Sequence, residues 1–361
     1  VIRSVEELQR KYGNDLDIVV LKSELTLTSP YQVTEYVWKG TLVQSVGIPP
    51  EKDFEWRYRD EYLKKLFDEY LAYFKPDLIH FHCVQRLTGT LLESAAELSI
   101  PYVVTVHDAW WLSEHQFLLD EEANLVDFNQ LNPLVVAQTS PDTAAAIKRS
   151  TYLTKLLAGA EKIYAVSEYQ AALYRQNGLT DIAVNKNGLP PVKTLAGTPS
   201  PNGKLRLGYV GGVCDHKGYY QLRRALESIQ CVDLECHIID LDADHADIKP
   251  TGQWGATDVF IWGRQTPEGM DDFYTAIDVL VAPSVWPESF GLVTREAALR
   301  GRWVVAAQAG GMAEDVIPER TGFTYPMRDD AALKAVLMKL NADARYYLEN
   351  DPDIESSRAQ I

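Results

Sequence analysis

Short apolar runs alternate with helical patterns along the sequence, and this alternation constrains the fold more than any other feature. Runs such as 102–106 and 279–282 are bounded by polar residues, which is typical of strands buried on both faces of a parallel sheet. Longer segments with regularly spaced apolar residues, such as 58–74, separate these runs. The alternation predicts an α/β fold in which helices cover doubly wound parallel sheets.

The same patterns predict the bounds of the elements. We expect strands at 17–21, 78–82, 102–106, 162–167, 205–210, 234–239, 259–262, 279–282 and 303–306. We expect helices at 1–11, 58–74, 90–98, 143–157, 220–229 and 293–300.

A dense run of prolines and glycines between residues 190 and 203 indicates a linker. A chain of 361 residues is more often two domains than one. We therefore expect a Rossmann-like domain at 1–195, a linker at about 189–204 and a second Rossmann-like domain at 204–361. Ligands of open α/β sheets bind outside the carboxyl ends of the strands, so we place the ligand in a central cleft that both sheets face.

The beginning of the sequence departs from the usual order of an α/β domain. Such a domain opens with a strand and a glycine-bearing loop, whereas here an amphipathic helix at 1–11 precedes the strand at 17–21. We expect the usual first strand to be missing. Either the sequence is a fragment of a longer chain, or an N-terminal piece of it has been left out.

Charge and composition exclude several classes of function. The net charge of −16 argues against nucleic-acid binding and against a strongly basic membrane-docking face. No apolar run of about 18 residues and no signal peptide is found, so we expect a soluble, cytoplasmic protein with at most peripheral membrane contact. Four cysteines without paired spacing predict neither disulfides nor a metal site: Cys83, Cys214, Cys231 and Cys236.

Two glutamates flank the predicted start of a helix, with seven residues between them. Glu288 follows the strand 279–282 through a Pro-Ser turn, and Glu296 lies about one turn into the helix. Carboxylates accept hydrogen bonds from hydroxyl groups, and the free N–H groups at a helix start accept a phosphate. The combination predicts a site for a sugar joined to a nucleotide.

A glycine-rich loop between the strand 205–210 and the helix 220–229 is a second phosphate-binding candidate. Gly211 and Gly212 would let the backbone approach a diphosphate, and Lys217 would supply a point charge. On its own such a loop is more often an ordinary turn, and a lone lysine is by default a solvated surface charge. Its position in the same domain as the two glutamates favours phosphate binding.

The ordered set of these motifs resembles the retaining GT-B glycosyltransferases of family 4, from about Asp17 to Gly322. The second half contains Gly211-Gly212, Lys217-Gly218, Trp262-Gly263, Glu288-Ser289-Phe290-Gly291-Leu292, Glu296 and Gly310-Gly311 with Glu314. The first half contains His107-Asp108-Ala109-Trp110, Val166-Ser167-Glu168 and Asn187-Gly188. The resemblance implies the GT-B fold, with two Rossmann-like domains.

The resemblance also implies roles for matching residues. Glu296 would hold the ribose hydroxyls of the donor nucleotide, and Glu288 would contact the donor sugar. Lys217 would meet the diphosphate together with Gly211 and Gly212. The backbone of Ser289, Phe290, Gly291 and Leu292 would meet the sugar and the diphosphate. Gly263 and Arg264 would lie at the nucleobase. On the acceptor side, His107 would lie near the transferred sugar, with Asp108 and Trp110 beside it.

The implied function is a retaining hexosyltransferase of polysaccharide biosynthesis that uses a UDP- or GDP-sugar and needs no metal or other cofactor. Its acceptor would be a glycan, a lipid-linked sugar or a small molecule. An alternative is a catalytically inactive homologue that binds a sugar nucleotide and acts as a partner subunit.

One residue departs from the family pattern, because many members have an arginine in place of Gly212. We expect Arg206, Arg264 or Arg295 to compensate. Asp-x-Asp pairs at 240–242, 242–244 and 351–353 could hold a metal, but solvated loop charge is the favoured interpretation. His80 and His82 share one side of a strand and could line the cleft. Trp110, Trp111 and Trp286 could stack on sugar or belong to the core.

Overall fold

The computed structural model describes residues 2–51, 56–126, 132–190, 192, 194–195, 197–243, 248–267 and 269–361. The chain divides into two compact units, residues 1–188 and 189–361. Each unit contains parallel strands joined by helices, so the predicted α/β class is confirmed.

Among the residues that the structure describes, the first unit contains seven strands and six helices. The strands are β1 (Val19–Leu25), β2 (Val33–Trp38), β3 (Thr41–Ile48), β4 (Ile79–Phe81), β5 (Tyr102–Val106), β6 (Lys162–Ala165) and β7 (Ile182–Val184). The helices are α1 (Ile2–Tyr12), α2 (Glu61–Phe74), α3 (Thr90–Glu97), α4 (Pro133–Thr139), α5 (Thr143–Ala158) and α6 (Glu168–Gln176).

The strands of the first unit form two sheets. One has the order β1-β3-β2, with β1 parallel and β2 antiparallel to β3. The other has the order β4-β5-β6-β7 and is parallel throughout. Asp60 caps the start of α2, since its carboxylate accepts from the amides of Tyr62 and Leu63, and the apolar face of the helix is buried in the core. Parallel pairing places the ends of β4 and β5, and the histidines that follow them, at one edge.

The described part of the second unit contains seven strands and six helices. The strands are β8 (Leu205–Val210), β9 (Leu234–Ile239), β10 (Lys249–Trp254), β11 (Thr257–Trp262), β12 (Val279–Ala282), β13 (Trp303–Gln308) and β14 (Gly322–Pro326). The helices are α7 (Tyr219–Glu227), α8 (Met270–Thr275), α9 (Leu292–Leu299), α10 (Asp330–Ala342), α11 (Ala344–Glu349) and α12 (Ile354–Gln360).

These strands form one sheet in the order β10-β11-β9-β8-β12-β13-β14, parallel except for β10. Every residue of β9 and β12 is buried, as is typical of inner strands of a parallel sheet. Strand β12 lies between β8 and β13. The three loops that follow these neighbouring strands, 211–218, 283–291 and 309–313, therefore emerge at the same edge.

Strands β5, β8, β9 and β12 have the predicted bounds. Strand β2 lies at the edge of its sheet. Strands β3, β7, β10 and β14 were not predicted. Among the described residues, no helix is both long enough and apolar enough to cross a bilayer.

A glycine brings two of the three loops together. Gly218 has φ +79°, and a β-carbon built there would lie 1.8 Å from the carbonyl oxygen of Pro283. The amide of Val285 donates to the carbonyl of His216 at 3.0 Å. Loop 211–218 therefore packs directly on the backbone of loop 283–291, and the contact requires glycine.

We predict that Gly218→Ala lowers the free energy of unfolding by roughly 3 kcal/mol, because it adds both backbone strain and a clash. Gly203→Ala is the matched control: Gly203 also has a positive φ, +75°, but its β-carbon would meet nothing within 4 Å. That control should cost only about 1 kcal/mol. Urea denaturation of both variants measures the difference, and equal losses would contradict the close contact at Pro283.

Candidate functional site

Glu288 lies in the loop between β12 and α9. Its carboxylate is buried, and both of its oxygens accept hydrogen bonds. The ammonium of Lys217 donates to Glu288 Oε2 at 2.9 Å, and the hydroxyl of Ser284 donates to Oε1. Lys217 belongs to the loop after β8, so the fold pairs two side chains that are 71 residues apart. The Lys217 ammonium also lies 5.2 Å from the centre of the Trp286 ring. Lys217 therefore belongs to a cluster of interacting side chains and is not a solvated surface charge.

The backbone of Glu288 is anchored to the loop after β13. Its amide donates to the carbonyl of Ala309 at 3.2 Å, and its carbonyl accepts from the amide of Gly311 at 2.7 Å. Gly310 has φ +64°, and a β-carbon there would lie 2.2 Å from the Glu288 carbonyl oxygen. The Gly310-Gly311 pair thus lets the two loops touch through their backbones.

The start of α9 presents backbone donors. Gly291 is the N-cap residue, with φ +77°, and no side chain caps the helix. Among the described residues, no protein acceptor receives a hydrogen bond from the amides of 289–292. Phe290 is buried, so its contribution to a ligand site is limited to its backbone. Unpaired amides and the positive end of a helix dipole make this turn suited to an anion.

Glu296 is half-buried on α9, four residues beyond the first residue of the helix. Its Oε2 accepts from the hydroxyl of Tyr274 at 3.2 Å. Burial raises the pKa of Tyr274 well above its ordinary value, so this hydroxyl stays protonated and remains a donor. The tyrosine fixes one carboxylate oxygen of Glu296.

The remaining predicted residues of the second unit lie in two loops. Gly212 has φ +71°, and a β-carbon there would lie 3.4 Å from Leu241. Gly263 is buried after β11, whereas Arg264 is exposed and donates from Nε to the carbonyl of Leu241 at 3.3 Å. Leu241 therefore lies between the glycine loop and the segment after β11.

Two of the three arginines expected to compensate for Gly212 are held in other contacts. Arg206 is buried and pairs with Asp278 at 2.6 Å. Arg295 is buried and pairs with Asp315 at 2.5 Å. The expectation that either guanidinium reaches a diphosphate is therefore wrong for this structure. Arg264 is the one of the three that is exposed.

The first unit gathers three histidines at the carboxyl ends of β4 and β5. The rings of His80 and His82 lie 4.1 Å apart, and His80 Nε2 is 2.8 Å from the hydroxyl of Thr105. His82 Nδ1 is 3.0 Å from His107 Nε2. Burial lowers the pKa of His82 to about 2 and that of His107 to about 4, so both rings are neutral near pH 7.

The His82–His107 contact couples the tautomers of the two neutral rings. If His82 Nδ1 carries the proton and donates it, His107 must accept at Nε2 and carry its own proton on Nδ1. If His107 donates from Nε2, then His82 accepts at Nδ1 and carries its proton on Nε2. In both states Nε2 of His107 is used by His82. His107 Nδ1 is therefore the ring nitrogen left for a ligand.

Asp108 and Trp110 are held by the protein itself. Gln85 donates to Asp108 Oδ2 at 2.6 Å, and the amide of Trp110 donates to Oδ1 at 2.9 Å. Burial raises the pKa of Asp108 to about 6. Trp110 is fully buried under the guanidinium of Arg149, 4.9 Å from its ring centre. The predicted place of Trp110 on the acceptor surface is therefore corrected: its ring is part of the core, as is that of Trp111.

The acidic pairs considered as metal ligands form no cluster. Within the described residues, no group of three or more His, Cys, Asp or Glu side chains could hold a metal ion. Asp244 lies outside the described residues. Asp353 caps α12 and pairs with Arg320 at 2.5 Å.

Several residues that hold the candidate site residues of one unit or the other were not predicted from sequence. They are Ser284, Tyr274, Gln85 and the Arg295–Asp315 pair. The sequence could have indicated Ser284, because it ends the Pro-Ser turn directly after a buried strand. The others depend on contacts between elements far apart in the chain, which periodicity does not show.

Two family models match consecutive parts of the chain. Residues 1–192 match the model described as Glycosyltransferase Family 4, and residues 204–343 match the one described as Glycosyl transferases group 1. The first match alone covers more than half of the chain.

Curated relatives match the chain over limited lengths. The lipopolysaccharide 1,2-N-acetylglucosaminetransferase of Salmonella typhimurium is 23% identical over 210 residues, which cover 52% of this chain and 55% of that protein. The D-inositol 3-phosphate glycosyltransferase of Streptomyces avermitilis is 46% identical over 70 residues, 19% of this chain and 15% of that protein. The chain thus spans about half the length of the first relative and a small part of the second.

Solved structures share the fold. Sucrose-phosphate synthase from Thermosynechococcus elongatus superposes with a TM-score of 0.67 at 20% identity, covering 99% of this chain and 88% of that one. The Anabaena protein HepE in complex with UDP-glucose gives a TM-score of 0.58 at 17% identity, covering 87% of this chain and 80% of that one.

Acidification should destabilise the protein through its buried histidines. Burial lowers the pKa of His82 and His107 below the ordinary value of 6.5. Below that pH the unfolded chain binds protons that the folded chain does not. The free energy of unfolding therefore falls by up to about 1.4 kcal/mol per pH unit for each ring. Asp108, with its pKa raised to about 6, acts in the opposite direction and offsets part of this loss.

The variant His82→Asn tests this effect, because asparagine keeps a hydrogen-bonding group near the position of Nδ1 but does not titrate. We expect the loss of unfolding free energy between pH 7 and pH 5 to be smaller than in the wild type by about 2 kcal/mol. Urea denaturation at the two pH values measures it. The same pH dependence in both proteins would show that His82 is not held neutral by burial.

Proposed function

The chain belongs to glycosyltransferase family 4, and on that basis we propose that it transfers a sugar from a nucleoside diphosphate donor to an acceptor hydroxyl. The main support for this proposal is the arrangement of side chains and amides in the second unit. The Lys217–Glu288 pair lies next to the unpaired amides at the start of α9, in a unit with the fold of GT-B enzymes. A carboxylate for sugar hydroxyls and donors for a diphosphate are the two components that such a donor requires.

The proposed donor is a UDP- or GDP-linked hexose. Complexes of the structural neighbour HepE with UDP and with UDP-glucose favour UDP for the first test. Glu296 is assigned to the ribose hydroxyls, since Tyr274 occupies only one of its carboxylate oxygens. The segment of Gly263 and Arg264 is assigned to the nucleobase.

The proposed diphosphate site combines Lys217 with backbone amides. Gly211 and Gly212 let the loop after β8 approach the phosphates, and residues 289–292 supply donors from the other side. In this structure Lys217 is paired with Glu288, so an arriving diphosphate competes for the ammonium. The carboxylate of Glu288 is then free to accept from a sugar hydroxyl.

The proposed chemistry follows from these assignments. The bond between the sugar C1 and the β-phosphate oxygen breaks, and Lys217 and the amides stabilise the charge that develops on the leaving diphosphate. The acceptor oxygen attacks C1 from the face of the departing group, and its proton passes to the leaving phosphate oxygen. Configuration is retained without a protein nucleophile, and we propose no required metal, because cationic and dipolar groups already serve the diphosphate.

The acceptor is proposed to be a glycan, a lipid-linked sugar or a small molecule, acted on in the cytoplasm. The name of the Salmonella relative, a lipopolysaccharide N-acetylglucosaminetransferase, supports a glycan. His107 is assigned to the transferred sugar, with Asp108 holding its loop through Gln85 and the Trp110 amide.

A donor screen tests the proposed activity. Purified protein is incubated with UDP-glucose, UDP-galactose, UDP-N-acetylglucosamine and GDP-mannose, and release of UDP or GDP is measured. We expect slow hydrolysis of at least one donor and thermal stabilisation by its nucleotide. Tight nucleotide binding without any turnover, including with added sugar acceptors, would instead support the inactive homologue.

Substitutions at the two glutamates should have different effects. Glu296→Ala should raise the dissociation constant of the nucleotide roughly 10- to 100-fold, because it removes acceptors for the ribose hydroxyls. Glu288→Gln keeps the shape and should lower kcat by about 100-fold or more while leaving nucleotide binding equal or tighter, since a negative charge beside the diphosphate is removed.

Calorimetry and steady-state kinetics measure the two effects. Glu319→Gln, at an exposed position of the same unit, is the control for a general loss of charge. If both glutamate substitutions changed binding and turnover as little as the control, the proposed assignments would be refuted.

A further inference from the structure

Arg295 is a buried cation directly before Glu296 on α9. Its side chain is only 1% exposed, and its guanidinium contacts two of the loops that shape the candidate donor site, 283–291 and 309–313. Nη1 donates to the carbonyls of Phe290 and Gly291, and Nη2 donates to the carbonyl of Gly311 at 3.1 Å. Nε donates to Asp315 at 2.5 Å, and the guanidinium carbon lies 3.7 Å from the centre of the Phe290 ring.

Stability alone does not account for an arginine at this position. Burying a guanidinium carries a large desolvation cost, and replacing a buried ion pair by well-packed apolar side chains is often neutral or stabilising. What an apolar side chain could not do is donate to the carbonyls of residues 290, 291 and 311. These three contacts distinguish the arginine from an apolar residue of similar length.

The contacts determine where the neighbouring amides point. A trans peptide is planar, and its N–H group points opposite to its carbonyl. Carbonyls turned toward Arg295 therefore turn the amides of Gly291, Leu292 and Met312 away from it. The hydroxyl of Thr294 lies within hydrogen-bonding distance of the carbonyls of Gly291 and Met312, at 2.9 and 3.0 Å, and joins the same two loops.

We propose that Arg295 is a positioning residue that aims the amides of Gly291, Leu292 and Met312 at the diphosphate of the donor. The guanidinium itself does not touch the ligand, because it is buried and neutralised by Asp315. This inference rests on the proposed function, since it presupposes a diphosphate at the start of α9.

Arg302 offers a matched control within the same unit. It is also buried, and it also donates to backbone carbonyls, those of Ile277 and Leu195. Neither carbonyl belongs to loop 283–291 or loop 309–313. Replacing Arg302 by methionine therefore removes a comparable buried arginine without altering the amides under test.

The experiment compares UDP with uridine, which lacks the phosphates. Dissociation constants of both ligands are measured by calorimetry for the wild type, Arg295→Met, Arg295→Lys and Arg302→Met. We expect Arg295→Met to weaken UDP roughly tenfold or more while changing uridine little, so that the preference for UDP over uridine falls by that factor. Arg295→Lys should not restore the preference, because an ammonium cannot span the same carbonyls. Arg302→Met should leave the preference unchanged, even where it lowers Tm.

A preference that stays at the wild-type value in folded Arg295→Met would overturn the inference. If that variant does not fold, the test is peptide-level hydrogen exchange of residues 289–293 and 310–313 in the wild type. UDP should protect these amides and uridine should not; equal protection by both ligands also overturns the inference. A wild type that binds UDP no more tightly than uridine would instead refute the proposed donor site itself.

Discussion

The hydrogen bond from the amide of Gly311 to the carbonyl of Glu288 is the contact on which the candidate site of the second unit depends. It joins the loops after β12 and β13 at a distance that only the adjoining Gly310 permits. With that backbone held, the Glu288 side chain is directed to Lys217 and Ser284. The residues that follow can then turn into α9 with their amides unpaired. The backbone contact between the two loops thus determines where the side chains of the candidate site lie.

The predictability of a strand depends on whether its apolar run is uninterrupted. Strand β12, Val-Leu-Val-Ala, is buried along its whole length, so its apolar run has clear ends and was predicted with the correct bounds. Strand β10 contains a proline and a glycine, is mostly exposed and forms the edge of the sheet, so it lacks the apolar run on which the prediction relies. Strand β3 was also missed. It is mostly buried and lies at the centre of its small sheet, but polar residues interrupt its apolar run.

The sequence indicated Glu288, Glu296 and Lys217 as candidate site residues, because their chemistry and their order along the chain coincide, and their binding roles stay predictions. The sequence did not show that Lys217 and Glu288 pair, since 71 residues separate them. It also offered Arg295, beside Arg206 and Arg264, as a cation for the diphosphate, whereas the structure buries Arg295 against Asp315. Its partners are a carboxylate 20 residues away and three carbonyls, and neither leaves a periodic signal. Only tertiary contacts show whether an arginine binds a ligand directly or holds the backbone groups that bind it.

The paired histidines of the first unit have a consequence for selectivity. Since His82 and His107 exchange hydrogen-bonding roles only together, Nδ1 of His107 is a donor in one arrangement and an acceptor in the other. Both arrangements carry no net charge, so moving between them requires no change in protonation. A hydroxyl group meeting that nitrogen can satisfy either arrangement by rotating. A fluorine or an ether oxygen can only accept, and it would confine the pair to a single proton distribution.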